Sequence, residues 1–159
     1  MGRRPMIGSW RDPAKSRPTL RFPAHAHIRT PADFARCFAT GKRVNGRRFA
    51  AIFRVHDERD LAAGITMARL GMAISRKVDK RAVERNRIRR LIREWFRHRL
   101  HAFPAGDLVI TGRPAAQGSA AASIFSELDH LAGRLGLMQT RPAGKMAGPS
   151  RPSSGDEGA

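Results

Sequence analysis

Apolar residues recur in the middle of the chain with two different periods, which predict its helices and strands. Residues 30–33, Thr-Pro-Ala-Asp, have the composition of a helix start: a threonine that can cap, a proline at the first helical position and an acid three residues after the cap. Phe34, Cys37 and Phe38 then fall on one helical face. Gly41 is predicted to end this first helix.

Alternation of apolar and other side chains predicts strands in the next segment. One face of a strand over residues 47–55 would carry Phe49, Ala51, Phe53 and Val55. The polar stretch 56–64 is predicted to be a turn or loop, and residues 65–75 are a second apolar, β-compatible stretch. We expect these two strands to form a hairpin-like pair, with room for a further strand within residues 47–75.

Two longer helices and one short strand are predicted in the second half. Residues 81–100 have the strongest helical period, with a core-facing stripe of Ile88, Leu91, Ile92, Trp95 and Phe96. Residues 107–111 are predicted to be a short buried strand. A last helix over residues 120–137 would bury Ile124, Leu128, Leu131 and Leu135. The predicted order is therefore α-β-β-α-β-α.

The apolar pattern occupies residues 25–137, which we predict to be one small domain. Residues 1–24 are predicted to be a disordered basic arm, and residues 138–159 a disordered tail rich in Gly, Pro and Ser. Neither a membrane-spanning apolar run nor the apolar stretch of a secretory signal is present in the sequence. The single cysteine, Cys37, cannot form an internal disulfide, which favours a reducing cytoplasm.

The chain is strongly basic, with a formal charge of +18 from 31 Lys and Arg against 13 Asp and Glu. Such a charge opposes compaction and favours a polyanionic partner. Most of the cations are arginines, whose planar guanidinium can hydrogen-bond phosphate at two points and stack on bases. Codon bias could explain arginine in place of lysine, but it does not explain the excess of base over acid.

The helix predicted at residues 81–100 concentrates this charge on one side. A step of about 100° per residue gathers five residues opposite the apolar stripe. We call them the cationic ridge: Asn86, Arg89, Arg90, Arg93 and Arg97. Like charges four residues apart repel by about a few tenths of a kcal/mol, so an ordinary exposed face would mix signs. Arg85 and Arg87 flank the ridge near the helix start, where backbone N–H groups attract phosphate.

No pattern of residues typical of a catalytic centre is visible. The sequence has no P-loop, no dinucleotide-binding glycine motif and no carboxylate pair in a recognisable metal-dependent nuclease setting. The six histidines are scattered, and no Cys/His set has zinc spacing. We therefore expect no catalytic residue and no metal site in this chain.

Two adjoining segments resemble a known family, the bacterial ribonuclease P protein component. Residues 85–94 have the sequence RNRIRRLIRE and resemble its signature helix. Residues 70–77, LGMAISRK, resemble the strand that precedes that helix, and residues 82–84 fit the stretch between them. Residues 30–34 and Phe38 resemble the first helix of the family. The resemblance covers roughly residues 22–135.

The resemblance implies an α+β fold, a two-layer α/β sandwich of order αβββαβα with a left-handed βαβ crossover (the ribosomal protein S5 domain 2-like arrangement). It implies that the chain is an accessory subunit of ribonuclease P, the endonuclease that removes the 5′ leader from precursor tRNA. In that family the catalytic RNA cuts with Mg²⁺, so the expected partners are the catalytic RNA and precursor tRNA, with no membrane and no further protein required.

The resemblance also assigns residues. Those matching the RNA-contacting helix and its basic lead-in are Arg76, Lys77, Arg85, Asn86, Arg87, Arg89, Arg90 and Arg93; the ridge adds Arg97. The cleft that holds the leader would use Phe34, Phe38 and Phe49, although the spacing of Phe34 and Phe38 by itself favours core packing. Ile52 stands where some members have Tyr, which puts leader contact on that strand in question. The alternative function is a stand-alone RNA-binding module associated with the ribosome.

Overall fold

The computed structural model describes residues 22–138. The predicted arm (residues 1–24) and tail (residues 138–159) therefore fall almost wholly outside the described residues. At the two junctions, side chains assigned to the arm and tail pack on the domain. The Phe22 ring lies 5.6 Å from the Phe96 ring, and Met138 packs against the core. The packed part of the chain thus includes Phe22, three residues before the predicted boundary.

Helices and strands alternate along residues 22–138 as one small α+β unit. In chain order they are α1 (Pro31–Thr40), β1 (Lys42–Asn45), β2 (Phe49–Val55), α2 (Glu58–Ala62), β3 (Arg69–Ala73), α3 (Ala82–Arg97), β4 (Gly106–Gly112) and α4 (Ala121–Leu135). Apart from the short α2, this is the αβββαβα order that the family resemblance implies. The left-handed sense of the crossover stays a prediction.

The four strands form one sheet in the order β1-β2-β4-β3. β2 pairs antiparallel with both β1 and β4, and β3 pairs parallel with β4. The hairpin-like pair predicted for β2 and β3 is therefore wrong, because β4 lies between them. The prediction assumed that strands adjacent in sequence pair directly, which holds for only about two-thirds of neighbours. α3 makes the long connection that parallel strands require.

The further strand lies outside the range predicted for it. It is β1, upstream of residue 47, and it had no visible signal because only Val44 among its four residues is buried. Its charged side chains suit an edge strand, since charge discourages pairing with another sheet. The stretch predicted as a loop contains α2, whose start is stabilised by reciprocal hydrogen bonds between Asp57 and Asp60.

The larger core lies between one face of the sheet and helices α3 and α4. Both predicted apolar stripes are buried there, except that Leu91 is only partly buried. Phe49, Ala51 and Phe53 of β2 share one face, as the alternation predicted, and that face meets this core. Val55 does not, since it ends the strand with 65% of its surface exposed.

α1 packs on the opposite face of the sheet. Its start is as predicted: the Thr30 Oγ1 accepts a hydrogen bond of 3.2 Å from the Asp33 backbone N–H. Cys37 is fully buried beneath the helix, in a small cluster with Ile28, Ile52 and Val109. α1 covers one end of this face, and the cleft that the family resemblance implies would lie over the other end. No helix within residues 22–138 is both long and apolar enough to cross a membrane.

Candidate nucleic-acid interface

The cationic ridge lies on α3 as the helical period predicted. Asn86, Arg90 and Arg93 are exposed, opposite the buried Ile88 and Ile92. Neither Arg90 nor Arg93 has a carboxylate partner within the described part of the chain. The Arg93 Nε donates only to the Arg89 carbonyl, at 3.4 Å. These two guanidinium groups are therefore available to an external anion.

Other predicted RNA-contact residues are anchored to the protein as well as charged. The Arg89 Nη2 donates to the Ile74 carbonyl at 2.8 Å, which fixes α3 to the end of β3. The Arg85 Nη1 donates to the backbone carbonyls of Asp79 and Lys80, at 2.9 and 2.8 Å. Each of these arginines still has further N–H groups, so anchoring orients the side chain without using its whole donor capacity.

Two members of the predicted set are in ion pairs. The Arg87 Nη1 lies 2.9 Å from the Glu84 Oε1, and its Nη2 donates to the Ser119 carbonyl before α4. The Arg97 Nη2 lies 2.6 Å from the Glu94 Oε2. Their charges are partly neutralised, so the strongest attraction for phosphate on α3 lies at Arg90 and Arg93.

The loop between β3 and α3 continues the basic surface. Arg76 and Lys77 are exposed in this loop and line a depression of about 450 Å³. Asp79 is buried in the same loop and accepts a 2.8 Å hydrogen bond from the Arg81 backbone N–H. The Arg85 contacts with the loop carbonyls bring Arg76 and Lys77 to the N-terminal end of the ridge.

A groove of about 670 Å³ runs beside the ridge and includes two apolar residues that sequence reasoning missed. These are Phe22 and Val83, and Val83 is 82% exposed. The Phe22 ring packs 4.3 Å from the His27 ring. Burial lowers the pKa of His27, and the Arg93 guanidinium lowers it further, so the ring is neutral at neutral pH. The sequence signal for this apolar border is Val83, an apolar residue at the start of an arginine-rich helix.

The cleft that the family resemblance implies, called here the groove beside α1, would have Phe38 at its side and small residues at its base. Beyond α1, one row of paired strand positions crosses the sheet: Asn45, Ala50, Thr111 and Ala73. Phe38 stands at the border of α1 with 48% of its surface exposed. Arg36, two residues earlier, points toward α2, and a step of roughly 200° directs Phe38 the other way, toward this row.

The three aromatic residues assigned to the leader cleft have different surroundings. Phe38 is exposed, so an unstacked base can reach it. Phe34 is half-buried and its ring covers Gly71, where an added Cβ would lie 2.7 Å from the Phe34 Cε1. The assignment of Phe49 is wrong: the side chain is fully buried in the larger core, on the other face of the sheet. Ile52 is also buried, under α1, so neither β2 residue can stack on a base.

A buried ionic network fixes α1 and α2 to the end of the sheet. At its centre Asp107, with no exposed surface, accepts hydrogen bonds from Arg69 at 2.8 and 3.0 Å, from the Arg54 Nη2 at 3.0 Å and from the His56 Nε2 at 2.8 Å. The Arg54 Nη2 also lies 2.7 Å from the Asp60 Oδ2 of α2. We call this set the Asp107 network; its members are Asp33, Arg36, Arg54, His56, Asp60, Arg69 and Asp107.

The network positions the aromatic wall of the groove. Asp33 of α1 contacts Arg69 of β3 at 3.4 Å, and Arg36 of α1 contacts Asp60 at 3.6 Å. Burial by itself raises the pKa of Asp107, but the hydrogen bonds from Arg69 and His56 outweigh it and hold the pKa below its usual range. The carboxylate is therefore ionised at neutral pH, and α1 is held with Phe38 on the side away from α2.

Cys37 contributes to packing beneath α1 and shows no feature of a reactive thiol. Its Sγ lies 3.5 Å from the Asp107 carbonyl, and burial raises the pKa of the thiol to about 11. Among residues 22–138, no group of three or more His, Cys, Asp or Glu side chains is arranged to hold a metal ion.

Comparison with known proteins agrees with this geometry. The family model described as Ribonuclease P matches residues 22–136. A ribonuclease P protein component from Xanthomonas euvesicatoria is 38% identical over 144 residues, covering 87% of this chain and 94% of that protein. A ribonuclease P protein structure from Staphylococcus aureus aligns with a TM-score of 0.64 and 28% identity, covering 71% of this chain and 97% of that one. One from Thermotoga maritima aligns with a TM-score of 0.57 and 26% identity, over 68% and 96%.

The fold and the basic helix define a class of small α+β proteins in which one charged helix joins two parallel neighbouring strands. The matched region includes every element from α1 to α4. The chain belongs to the ribonuclease P protein family.

Proposed function

We propose that this chain is the protein subunit of the ribonuclease P ribonucleoprotein and assists removal of the 5′ leader from precursor tRNA. The observation that supports this most strongly is the exposure of Arg90 and Arg93 on α3, without a carboxylate partner among residues 22–138. Two adjacent cations without compensation are costly in an isolated helix, and RNA phosphates would remove that cost. α3, with the basic loop before it, is the surface proposed to bind the catalytic RNA.

The groove beside α1 is proposed to bind the single-stranded leader. Stacking of a base on an aromatic ring contributes roughly 1–3 kcal/mol and is tolerant of sequence, as a subunit acting on many precursors requires. Phe38 is the ring best placed for this, because 48% of its surface is exposed. Phe34 would contact the leader with the edge of its ring. The packing of this ring on Gly71 would also keep α1 at a fixed distance from the sheet.

In this proposal the RNA subunit and its Mg²⁺ ions cut the phosphodiester bond, as the family resemblance implies. The protein binds and orients the two RNAs. Its guanidinium groups offset repulsion between their phosphates, which lowers the Mg²⁺ concentration needed for assembly. Because precursor tRNA is processed where it is transcribed, the cytoplasm is the proposed compartment.

Reconstitution tests the proposal directly. Purified protein is mixed with precursor tRNA, with and without the cognate RNA subunit, at high and at low Mg²⁺. We expect cleavage that needs the RNA subunit and that the protein enhances most at low Mg²⁺. Cleavage unaffected by the protein at every Mg²⁺ concentration would leave the alternative, a stand-alone RNA-binding module associated with the ribosome.

The leader assignment is tested by Phe38→Ala. We expect affinity for leader-bearing precursor to fall roughly fivefold to a hundredfold, the range for loss of one stacked base, while affinity for mature tRNA is unchanged. Leu61→Ala is a matched control, because Leu61 of α2 is equally exposed at 48% but lies away from the groove. Equal effects of the two substitutions would remove Phe38 from the leader site.

A further inference from the structure

The loop between β3 and α3 contains one acid among its cations, and the side chain of that acid is buried. Residues 76–81 have the sequence RKVDKR, in which Asp79 is the only acid beside four cations. The Asp79 side chain is 1% exposed, whereas Arg76 and Lys77 are exposed. A surface that only attracted phosphate would gain nothing from a carboxylate, and a buried carboxylate is tolerated only when it is paired. Asp79 therefore acts within the protein.

Asp79 fixes the end of the loop to the start of α3. Its Oδ1 accepts hydrogen bonds from the Arg81 backbone N–H at 2.8 Å and from the Arg81 Nε at 3.2 Å, and its Oδ2 accepts from the Arg81 Nη2 at 3.1 Å. The hydrogen bonds from Arg81 lower the pKa of Asp79 to about 2, so the carboxylate is ionised at neutral pH. Arg81 directly precedes α3, and its side chain does not cap the helix. The Asp79 carboxylate is thus a direct tie between loop and helix start.

A turn and an apolar contact fix the first half of the loop. The Val78 backbone N–H donates to the Ser75 carbonyl at 3.1 Å, which closes a turn whose two central residues are Arg76 and Lys77. The Val78 side chain is buried against β4, so closely that a Cβ added at Gly112 would lie 2.8 Å from the Val78 Cγ2. The two exposed cations therefore project from a turn that Val78 attaches to the sheet.

Asp79 supplies the second attachment of this turn. One attachment at Val78 would leave the turn free to rotate about it, and the paired carboxylate of the next residue prevents that rotation. The backbone at Asp79 is also held, because its carbonyl accepts a 2.9 Å hydrogen bond from the Arg85 Nη1 of α3. Both ends of the turn are thereby fixed relative to the cationic ridge on α3.

We propose that Asp79 is a positioning residue for RNA binding, which holds the loop so that Arg76 and Lys77 project toward the RNA subunit beside the cationic ridge. This rests on the proposed function of α3 and its loop. Ordering long side chains at the moment of binding consumes binding free energy, and a loop that is already fixed avoids part of that loss. Charge alone predicts the opposite role, because an acid near RNA phosphates repels them.

Asp79→Ala separates the two possibilities by the sign of its effect. The substitution makes the protein more positive by one charge, which by itself would tighten RNA binding. If Asp79 positions the loop, the dissociation constant for the cognate ribonuclease P RNA should instead rise roughly tenfold. The log–log salt slope should become shallower by about one to two, because contacts of Arg76 and Lys77 with phosphates are lost. Filter binding at several salt concentrations measures both quantities.

Glu58→Ala is the matched control for the change in charge. Glu58 is an exposed acid of α2, and α2 is tied by the Asp107 network to the end of β3 opposite the loop. We expect its dissociation constant to stay within about twofold of wild type. Circular dichroism at the assay temperature verifies that each variant is folded. If Asp79→Ala does not fold, the isosteric Asp79→Asn replaces it, with an expected loss of about threefold, since one acceptor oxygen remains.

A double-mutant cycle tests whether Asp79 acts through the two loop cations. In a background of Arg76→Gln with Lys77→Gln no cation remains for Asp79 to position, so adding Asp79→Ala should weaken binding by less than about twofold. A general structural loss would instead weaken binding equally in both backgrounds.

Unchanged or tighter binding by Asp79→Ala, or equal losses in the two backgrounds, would overturn Asp79 as a positioning residue. Failure of the wild-type protein to bind the RNA subunit would reject the proposed function itself, so the two negative results are distinguishable.

Discussion

The cationic ridge and the Asp107 network use the same guanidinium side chain in opposite surroundings. On the ridge, Arg90 and Arg93 are exposed and form no ion pair with a carboxylate of residues 22–138. In the network, Arg54 and Arg69 are buried, and each donates to Asp107 at 3.0 Å or less. The many arginines of this chain are therefore of two kinds. Exposed arginines are available to bind other molecules, and buried arginines stabilise the fold.

The difference shows how the neighbours of an arginine indicate whether it acts on stability or on binding. A buried arginine is tolerated only when its charge is paired and its donors are satisfied, so its loss acts mainly on stability. An exposed arginine beside like charges contributes little to stability, so its loss acts mainly on binding. Substitutions in the two regions should thus separate folding from RNA affinity.

The largest effect is expected from Asp107→Ala. Removing the shared carboxylate leaves Arg69 buried without its main partner and leaves Arg54 with Asp60 and Asp57, which should lower the free energy of unfolding by roughly 3–5 kcal/mol. Denaturant unfolding followed by circular dichroism measures it. Glu58→Ala, in an exposed position on α2, should change stability by less than about 0.5 kcal/mol. If the two variants are equally stable, the network is not structural.

An intermediate effect, on binding alone, is expected from Arg90→Ala with Arg93→Ala. Affinity for the RNA subunit should fall roughly tenfold to a hundredfold, and the salt slope should become shallower by about one per arginine. The free energy of unfolding should stay within about 0.5 kcal/mol of wild type, because neither guanidinium has an ion pair within residues 22–138. Filter binding at several salt concentrations measures the first quantity. A fully retained slope would reject the ridge as the RNA site.

The smallest effect is expected when the pH is lowered within the ordinary range. This change tests how the carboxyl groups of the Asp107 network contribute to the stability of the protein. Asp107, Asp60 and Asp33 all have a pKa below the usual value, so their contribution to stability is complete above the unfolded-state pKa of about 3.9. It is lost as the pH falls through their folded-state pKa values. Stability should therefore be nearly constant from pH 7 to about 5 and decrease below about pH 4. RNA affinity of the ridge should not follow this curve, since arginine stays protonated. A loss of stability already at pH 6 would contradict the assignment.

The parts that the sequence predicted are those with local, periodic signals. The Thr30 cap, the stripes of α3 and α4 and the position of the ridge opposite the stripe of α3 all follow from spacing within one helix, and the structure confirms them. The order of elements came from the family resemblance. Alternation in β2 correctly placed Phe49 and Phe53 on one face but did not say which face met the core, so Phe49 was assigned to the wrong surface.

The parts that the sequence did not predict depend on long-range contacts. Asp107 lies 38 residues from Arg69 and 53 from Arg54, and single charged residues in short strands have no periodic signal. Arg113 and Arg134 likewise donate to Asn45 across 68 and 89 positions of the chain. A strand as short and polar as β1 could not be recognised without the neighbour it pairs with.

The central place of β4 in the sheet has a consequence for biosynthesis. Among the strands of residues 22–138, β4 is the last to be synthesised, yet it is the one that pairs with both β2 and β3. Until residue 112 has been made, β3 lacks its parallel neighbour and Asp107 is not available to anchor the first helix. Formation of the complete sheet therefore waits for β4, and a truncated product ending before Gly106 would leave β3 unpaired and one edge of β2 open, which favours degradation.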